Sequence, residues 1–541
     1  MKKLLVFALV LCTAGLFAQP APQNWWDLDR TDDTFPGVSA QKTHDYLKGK
    51  KAQDVIVAVI DSGVDIEHED LKDIVWTNPG EIAGNGIDDD NNGYVDDMHG
   101  WNFIGGKDGR NVNYENLEVV RLYNTYKVKY NNRNRDGLSK SEKMEFDKFK
   151  EYEKVIEDER SSVSPQAAQI SSMMEALNSV VMKIGKKPAS ITSADVEALG
   201  DKDELTGVAK QMVARAGSRG QTFPEFFNGI KSYSDYLKQT LDYNYNPEFD
   251  ARDIVGDNPG NLDDRNYGNN DVEGPDAMHG THVAGIIAAV RDNEIGMNGV
   301  GGPSVKIMSV RTVPNGDERD KDVANAIRYA VDNGASVINM SFGKGQSPYK
   351  KAVDAAMKYA EKKDVLLVHA AGNDGKMLTL ENNFPNDTYQ GKKKTGKTWI
   401  EVGATTPDYD DGLAAGFSNY DSKHVDVFAP GAQIYSTIPD DNYRNLQGTS
   451  MAAPMVAGIA GLIRSYFPDL KATQVREIIL ESALPVGLKV TKPGSEEMIN
   501  FSELSTTGGI ANAYTAVKLA ERTKGKKKKV AKRDASLMTF K

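Results

Sequence analysis

Residues 55–65 read Val-Ile-Val-Ala-Val-Ile-Asp-Ser-Gly-Val-Asp. Six apolar residues without a polar interruption predict a strand covered on both faces, as in a parallel sheet. Runs of the same kind recur at 306–313, 336–341, 365–370 and 399–404. Helical patterns lie between some of them. Asp322 to Asn333 places Ala324, Ile327, Ala330 and Val331 on one face and is closed by Gly334; Lys351 to Lys363 does the same with Val353, Ala356, Met357 and Ala360. Strands alternating with helices predict an α/β fold, a doubly wound and mostly parallel sheet flanked by helices. In such sheets, sites gather at the carboxyl ends of strands, which draws attention to Asp61.

Between 107 and 262 the texture changes to a long polar, helix-forming segment. Phe146, Phe149, Tyr152 and Ile156 form a stripe at helical spacing, with Ser139 and Glu142 as a capping box before it. Ser164-Pro165 predicts the start of a further helix carrying Met173, Met174, Leu177, Val180, Val181 and Ile184. Thr192 and Thr222-Phe223-Pro224 open two more. These stripes read as helix packing, and the segment as an inserted, mainly helical subdomain.

At the amino end, Lys2 and Lys3 precede an apolar run from Leu4 to Phe17, then Ala18 and Gln19-Pro20-Ala21-Pro22. That pattern predicts a signal peptide, residues 1–18, and hence export to a secreted, periplasmic or cell-envelope location. The run is too short to cross a bilayer comfortably and no second long apolar run follows, so no transmembrane span is expected. The one cysteine, Cys12, excludes an intramolecular disulfide and a Cys-rich zinc module. Net charge is -11 over 541 residues, which disfavours nucleic acid as a partner. Residues 518–534 hold nine basic and two acidic side chains, so an acidic body ends in a basic tail.

Three short stretches offer an acid, a base and a nucleophile. They are Asp61-Ser62-Gly63-Val64-Asp65, His279-Gly280-Thr281-His282-Val283-Ala284-Gly285 and Gly448-Thr449-Ser450-Met451-Ala452-Ala453-Pro454. A serine hydroxyl needs a neutral imidazole in reach, and the imidazole needs a carboxylate to fix its tautomer. Small residues around His279 and Ser450 begin apolar helical runs, and a helix amino terminus suits a developing oxyanion. Ala370-Ala371-Gly372-Asn373-Asp374-Gly375 follows the run at 365–370 and supplies an amide donor for the same oxyanion. His282, three residues after His279, has no H-E-x-x-H pattern or third ligand beside it and reads as a packed, hydrogen-bonded residue.

These motifs resemble the subtilisin-like serine proteases, the subtilase family, including its Asp, His, Ser chain order. The resemblance implies a subtilisin-like fold and a serine endopeptidase acting on protein or peptide substrates, with no cofactor required for the chemistry. It implies Asp61, His279 and Ser450 as the triad and Asn373 as oxyanion donor. It also implies that Ser341-Phe342-Gly343 and Ala371-Gly372 line a cleft binding an extended peptide as an added strand. Further matching stretches are Phe417-Ser418-Asn419-Tyr420, Val425 to Gly431 and Asn512-Ala513-Tyr514. The expected layout is a signal at 1–18, a short segment at 19–40, a protease domain in two parts (41–106 and 263–520) around a helical insertion at 107–262, and a basic tail at 521–541. The 218 positions between Asp61 and His279 place that insertion between two triad members, where it is expected to restrict or order substrate. A monomer is assumed. The alternative reading is a catalytically silent scaffold on the same fold.

Structural calcium is expected at two places. Residues 84–97 contain Asp88, Asp90, Asn92 and Gly93 in the spacing of a D-x-D-x-N-G loop, with Asp96 or Asp97 in place of the missing Glu. The family resemblance adds Asp70 and Asn293.

Overall fold

The computed structural model describes residues 21–200, 203–391 and 395–525. The expected signal peptide with Cys12, and the tail beyond 525, lie outside them. The main sheet is built from β1 (Val55–Asp61), β2 (Gly100–Asn102), β3 (Val305–Arg311), β4 (Val337–Met340), β5 (Leu366–Ala370), β6 (Trp399–Thr405) and β7 (Val427–Pro430). Two hairpins, β8 (Ile434–Ile438) with β9 (Asn442–Leu446) and β11 (Lys489–Thr491) with β12 (Met498–Asn500), stand outside it; β10 (Leu484–Pro485) and β13 (Gly509–Ile510) complete it. The order is β10-β13-β7-β6-β5-β4-β1-β3-β2, and only β10 with β13 is antiparallel. After β1 the chain builds β2 and β3 on one side and then crosses to β4 on the other, so β1 lies at the point where strand order reverses. Crevices for ligands open at the carboxyl ends of strands there, and Asp61 is the last residue of β1.

The helices used below are α1 (Ala40–Leu47), α2 (Glu118–Tyr130), α3 (Lys140–Ile184), α4 (Glu204–Gly217), α5 (Phe223–Gln239), α6 (Met278–Ala288), α7 (Asp320–Asp332), α8 (Lys350–Lys362), α9 (Thr449–Tyr466), α10 (Ala472–Glu481) and α11 (Ala513–Arg522). On one face of the sheet α6 and α9 form the larger core with Val57, Val59, Ile307, Val368 and Ile400. On the other, α7 and α8 cover Ala58, Ile60, Met308, Val310 and Ile338. Both faces are therefore dry, which is why the strands read as unbroken apolar runs. Trp25 and Trp26 are fully buried in the larger core and Asp27 pairs with Arg291 at 3.2 Å, so residues 21–40 are part of the body's packing.

The insertion is helical, with α3 packed against α2, α4 and α5. The capping box expected at Ser139 forms, and Thr192 and Thr222 open helices as expected, each with a capping box of its own. The helix start expected at Ser164-Pro165 does not occur: α3 runs unbroken for 45 residues with Pro165 inside it. A proline there removes one backbone bond and costs about 3 kcal/mol in a helix interior. Side chains cover neighbouring carbonyls, Ser164 Oγ donating to Arg160 O and Gln166 Nε2 to Ser162 O. The apolar stripe continues on both sides, Ile156 and Val163 before Pro165 and Ile170 and Leu177 after it. Burial of that stripe against the neighbouring helices outweighs the local break.

Candidate active site

β1 delivers Asp61 to the carboxyl edge of the sheet, 2% exposed. The backbone amide of Ser62 donates to Asp61 Oδ1 at 2.8 Å, and His279 Nδ1 lies 2.6 Å from the same oxygen. His279 occupies the first turn of α6, a helix whose residues from Gly280 to Ala288 are all buried. Its approach to β1 depends on Gly280: a Cβ there would fall 2.1 Å from the Gly63 carbonyl and 3.2 Å from Asp61 Cβ. Burial of the imidazole opposes its protonation, but the charge and hydrogen bond of Asp61 prevail and hold the His279 pKa above its ordinary 6.5. The His279 side chain is 36% exposed, so one ring edge faces the cleft.

Ser450 lies in the first turn of α9, where a backbone N–H has no acceptor inside the helix. Gly448 precedes it at φ +150, a conformation open to glycine. The Ser450 hydroxyl donates to Ser341 O at 3.1 Å, while Ser341 Oγ donates to Ser450 O at 2.9 Å. Ser450 is thereby held on the β4 extension through a reciprocal pair of hydrogen bonds. Asn373 follows β5 and is exposed. Its Oδ1 accepts from Thr449 N at 2.8 Å and from Thr449 Oγ1 at 3.0 Å, which leaves the Nδ2 donor for another acceptor. Thr449 Oγ1 also accepts from Gly372 N at 3.0 Å, so the oxyanion side chain and the nucleophile helix share one knot.

A cavity of about 250 Å³ beside the triad is bounded by Asp61 and His279, by Val313-Pro314-Asn315 on one side and by Ser341 on the other. The side chains of Ser341 and Phe342 are buried, Phe342 edge-on to His369, whereas Gly343 is exposed. Ala371 is fully buried, and its carbonyl already accepts from Asn383 and Asn419. His282 is buried with Nε2 3.0 Å from both Ile434 O and Arg444 O, and burial first of all pushes its pKa down to about 4; it ties α6 to the β8–β9 hairpin.

At the acidic loop, the structure groups residues differently from the D-x-D-x-N-G spacing. Asp88 uses both oxygens to accept from Asn92 N and Gly93 N. Asp90 instead meets Glu81 and Asp97, each offering an oxygen within 4.8 Å of the others. Asn92 donates its amide nitrogen to Asp90 and Asp97, at 3.1 Å each. Burial, with Asp90 nearby, pushes Asp97 up to about 6 despite hydrogen bonds from Tyr329, Asn78 and Asn92. This all-oxygen donor set fits a hard divalent cation. Glu81 was not foreseen, since it precedes the loop and reaches it only because the loop folds back. Asp70 and Asn293 do meet, but Asn293 Nδ2 donates to Asp70 Oδ1 at 2.8 Å and Met297 N to Oδ2 at 3.1 Å, so the carboxylate is satisfied by protein donors.

The model of the family described as "Subtilase family" matches residues 52–514. The chain is 43% identical to "Thermitase" of Thermoactinomyces vulgaris over 208 residues, 38% of this chain and 67% of that protein. It is 38% identical to "Subtilisin DY" of Bacillus licheniformis over 212 residues, 39% and 71% of the two chains. It is 36% identical to "Cell wall-associated protease" of Bacillus subtilis over 232 residues, 43% of this chain but only 24% of that protein.

Proposed function

Because the chain belongs to the subtilase family, we propose that it is a serine endopeptidase that hydrolyses peptide bonds through an acyl-enzyme on Ser450. The observation that carries this reading is the 2.6 Å contact of His279 Nδ1 with the buried Asp61 carboxylate. Asp61 fixes the tautomer that leaves His279 Nε2 free to accept the Ser450 proton. Ser450 Oγ attacks the scissile carbonyl carbon, and the resulting oxyanion takes hydrogen bonds from Asn373 Nδ2 and the Ser450 amide. His279 then protonates the departing amine, and a water deprotonated by the same imidazole releases the acyl group. The relative named "Cell wall-associated protease" supports the reaction class. A fluorophosphonate is expected to label Ser450, and Ser450→Ala to lower kcat by about 10⁶-fold, as in a related triad. Hydrolysis persisting in purified Ser450→Ala would sink the mechanism, and an unlabelled, inactive wild type would favour the silent scaffold.

Two further readings accompany it. Export with cleavage after Ala18 predicts a mature protein beginning at Gln19 by terminal sequencing; an intact Met1 in the exported protein rejects it. Among the described residues no helix is long and apolar enough to cross a membrane. Calcium held by Glu81, Asp90 and Asp97 would neutralise three neighbouring carboxylates and brace the loop; chelation is expected to lower Tm and added calcium to restore it. An unchanged Tm after chelation counts against the site.

A further inference from the structure

The insertion meets the cleft edge through Asn244, whose Nδ2 donates to Asn315 O at 3.1 Å, and through a buried charge knot whose parts come from both walls. Just before α2, residues 113–116 run beside residues 315–317. Tyr114 bridges Asn315 in parallel, Asn315 N donates to Asn113 O at 2.8 Å, and Glu115 N donates to Asn315 O at 3.2 Å. The first amide of α2, Glu118 N, donates to Asp317 Oδ2 at 2.7 Å, and Arg121 Nη1 donates to Asp317 O at 2.9 Å. The insertion thus grips the outer edge of the wall that begins as Val313-Pro314-Asn315 beside the triad.

The opposite wall, which leaves Ser450 at Ser341, is held by the same residues. Lys344 sends its side chain across to the first wall, donating from Nζ to Glu318 O at 2.7 Å and meeting Asp320 Oδ1 at 3.0 Å. It also donates to Glu118 Oε2 at 2.7 Å, and that oxygen receives Arg121 Nη2 at 2.6 Å. The side chains of Lys344, Glu118 and Arg121 are 1%, 7% and 10% exposed. Burial works against the Glu118 charge, but Arg121 and Lys344 outweigh it and hold its carboxyl at about 2. One carboxylate from the insertion therefore bridges a cation of its own helix and a cation from the cleft wall, with Asp320 as a second anion on Lys344. A buried charge stripped of its partner is costly, so the knot resists opening.

We infer that Glu118 is a positioning residue for peptide binding: by accepting Lys344, which Glu318 O and Asp320 also hold, it helps to fix the separation of the two strands between which the substrate lies, and so makes the insertion a determinant of selectivity for long substrates. This rests on the protease reading above. A substrate occupying several positions on the amino side of the scissile bond must lie between both walls, whereas a short acyl ester meets only the triad and the cavity beside it. Binding energy from the remote positions is gained only if the walls are held at the right spacing.

The test compares kcat and KM for a peptide with at least four residues before the scissile bond and for a short acyl ester. It uses the wild type, Glu118→Gln and Lys344→Met. Lys344→Met leaves Glu118 paired with Arg121 but also removes the ties to Glu318 and Asp320, so it reports the loss of the whole tie between the walls, while Glu118→Gln isolates the insertion's share. The expected result is a fall of about tenfold in the peptide-to-ester ratio of kcat/KM, mostly through KM. A ratio unchanged from wild type in the folded variants overturns the inference. A wild type inactive on both substrates and unlabelled by fluorophosphonate overturns the protease reading instead.

Discussion

α9 and α3 are both long helices, but they bury their residues in very different proportions. α9 buries fifteen of eighteen residues beneath the sheet, whereas α3 buries eight of forty-five. Ser450, the nucleophile of the proposed mechanism, is half-buried at the start of the first kind of helix, whose packing fixes the backbone that carries it. α3 is a one-sided ribbon. Its exposed face carries pairs such as Lys154–Asp158 and Lys150–Glu153, which solvent screens. The comparison teaches that the insertion's bulk and its influence are separate: α3 packs on its own neighbours α2, α4 and α5, while the insertion touches the cleft wall near its two ends, through Glu118 and through Asn244.

The sharpest division between the regions lies at the triad. Asp61→Asn is expected to lower kcat by about 10⁴-fold with little change in Tm, because the imidazole loses its tautomer while packing is kept. A loss below tenfold would separate Asp61 from the chemistry. Next in size, Asn373→Ala should cost about 10²–10³ in kcat with KM nearly constant. A change confined to KM would make Asn373 a ground-state contact.

Stability probes the same comparison from the other side. Leu462→Ala in α9 and Leu177→Ala in α3 both empty fully buried sites, and each should cost about 2–5 kcal/mol. The first should lower the main unfolding transition and activity together. The second should appear as earlier opening of residues 140–239 in hydrogen exchange, with ester hydrolysis kept. Equal protection loss throughout the chain would show that body and insertion unfold as one unit. The smallest effect concerns pH. His279 must be neutral to take a proton, and its pKa is raised above 6.5, chiefly by Asp61 overcoming burial. kcat/KM should therefore rise with pH along a limb centred above 6.5, falling about tenfold per unit on its acid side. A limb centred below 6.5 would contradict the field assigned to Asp61.

Much of this was legible in the chain. The run at 55–61 is a strand to the residue, since a doubly covered strand leaves no polar position to confuse its limits. The three motifs could be read because small residues cluster where helices must approach a strand end. Pro165 misled because local propensity points to a helix start, while packing of a continuous stripe decides the outcome. Glu81 and Glu118 carried no local signal at all: a carboxylate in a polar stretch looks solvated until the fold brings a partner to it.

By itself, then, the sequence determined five of the nine strands of the main sheet, the order of Asp61, His279 and Ser450 along the chain, and the helical character of the insertion, because each depends on residue type at short range. Tertiary structure alone decided that Ser450 rests on Ser341, that Asp90 meets Glu81 and Asp97, and that Lys344 crosses the cleft to Glu118. Those contacts join residues as far as 226 positions apart. Their existence depends on charges being buried together, and burial is a property of the folded chain.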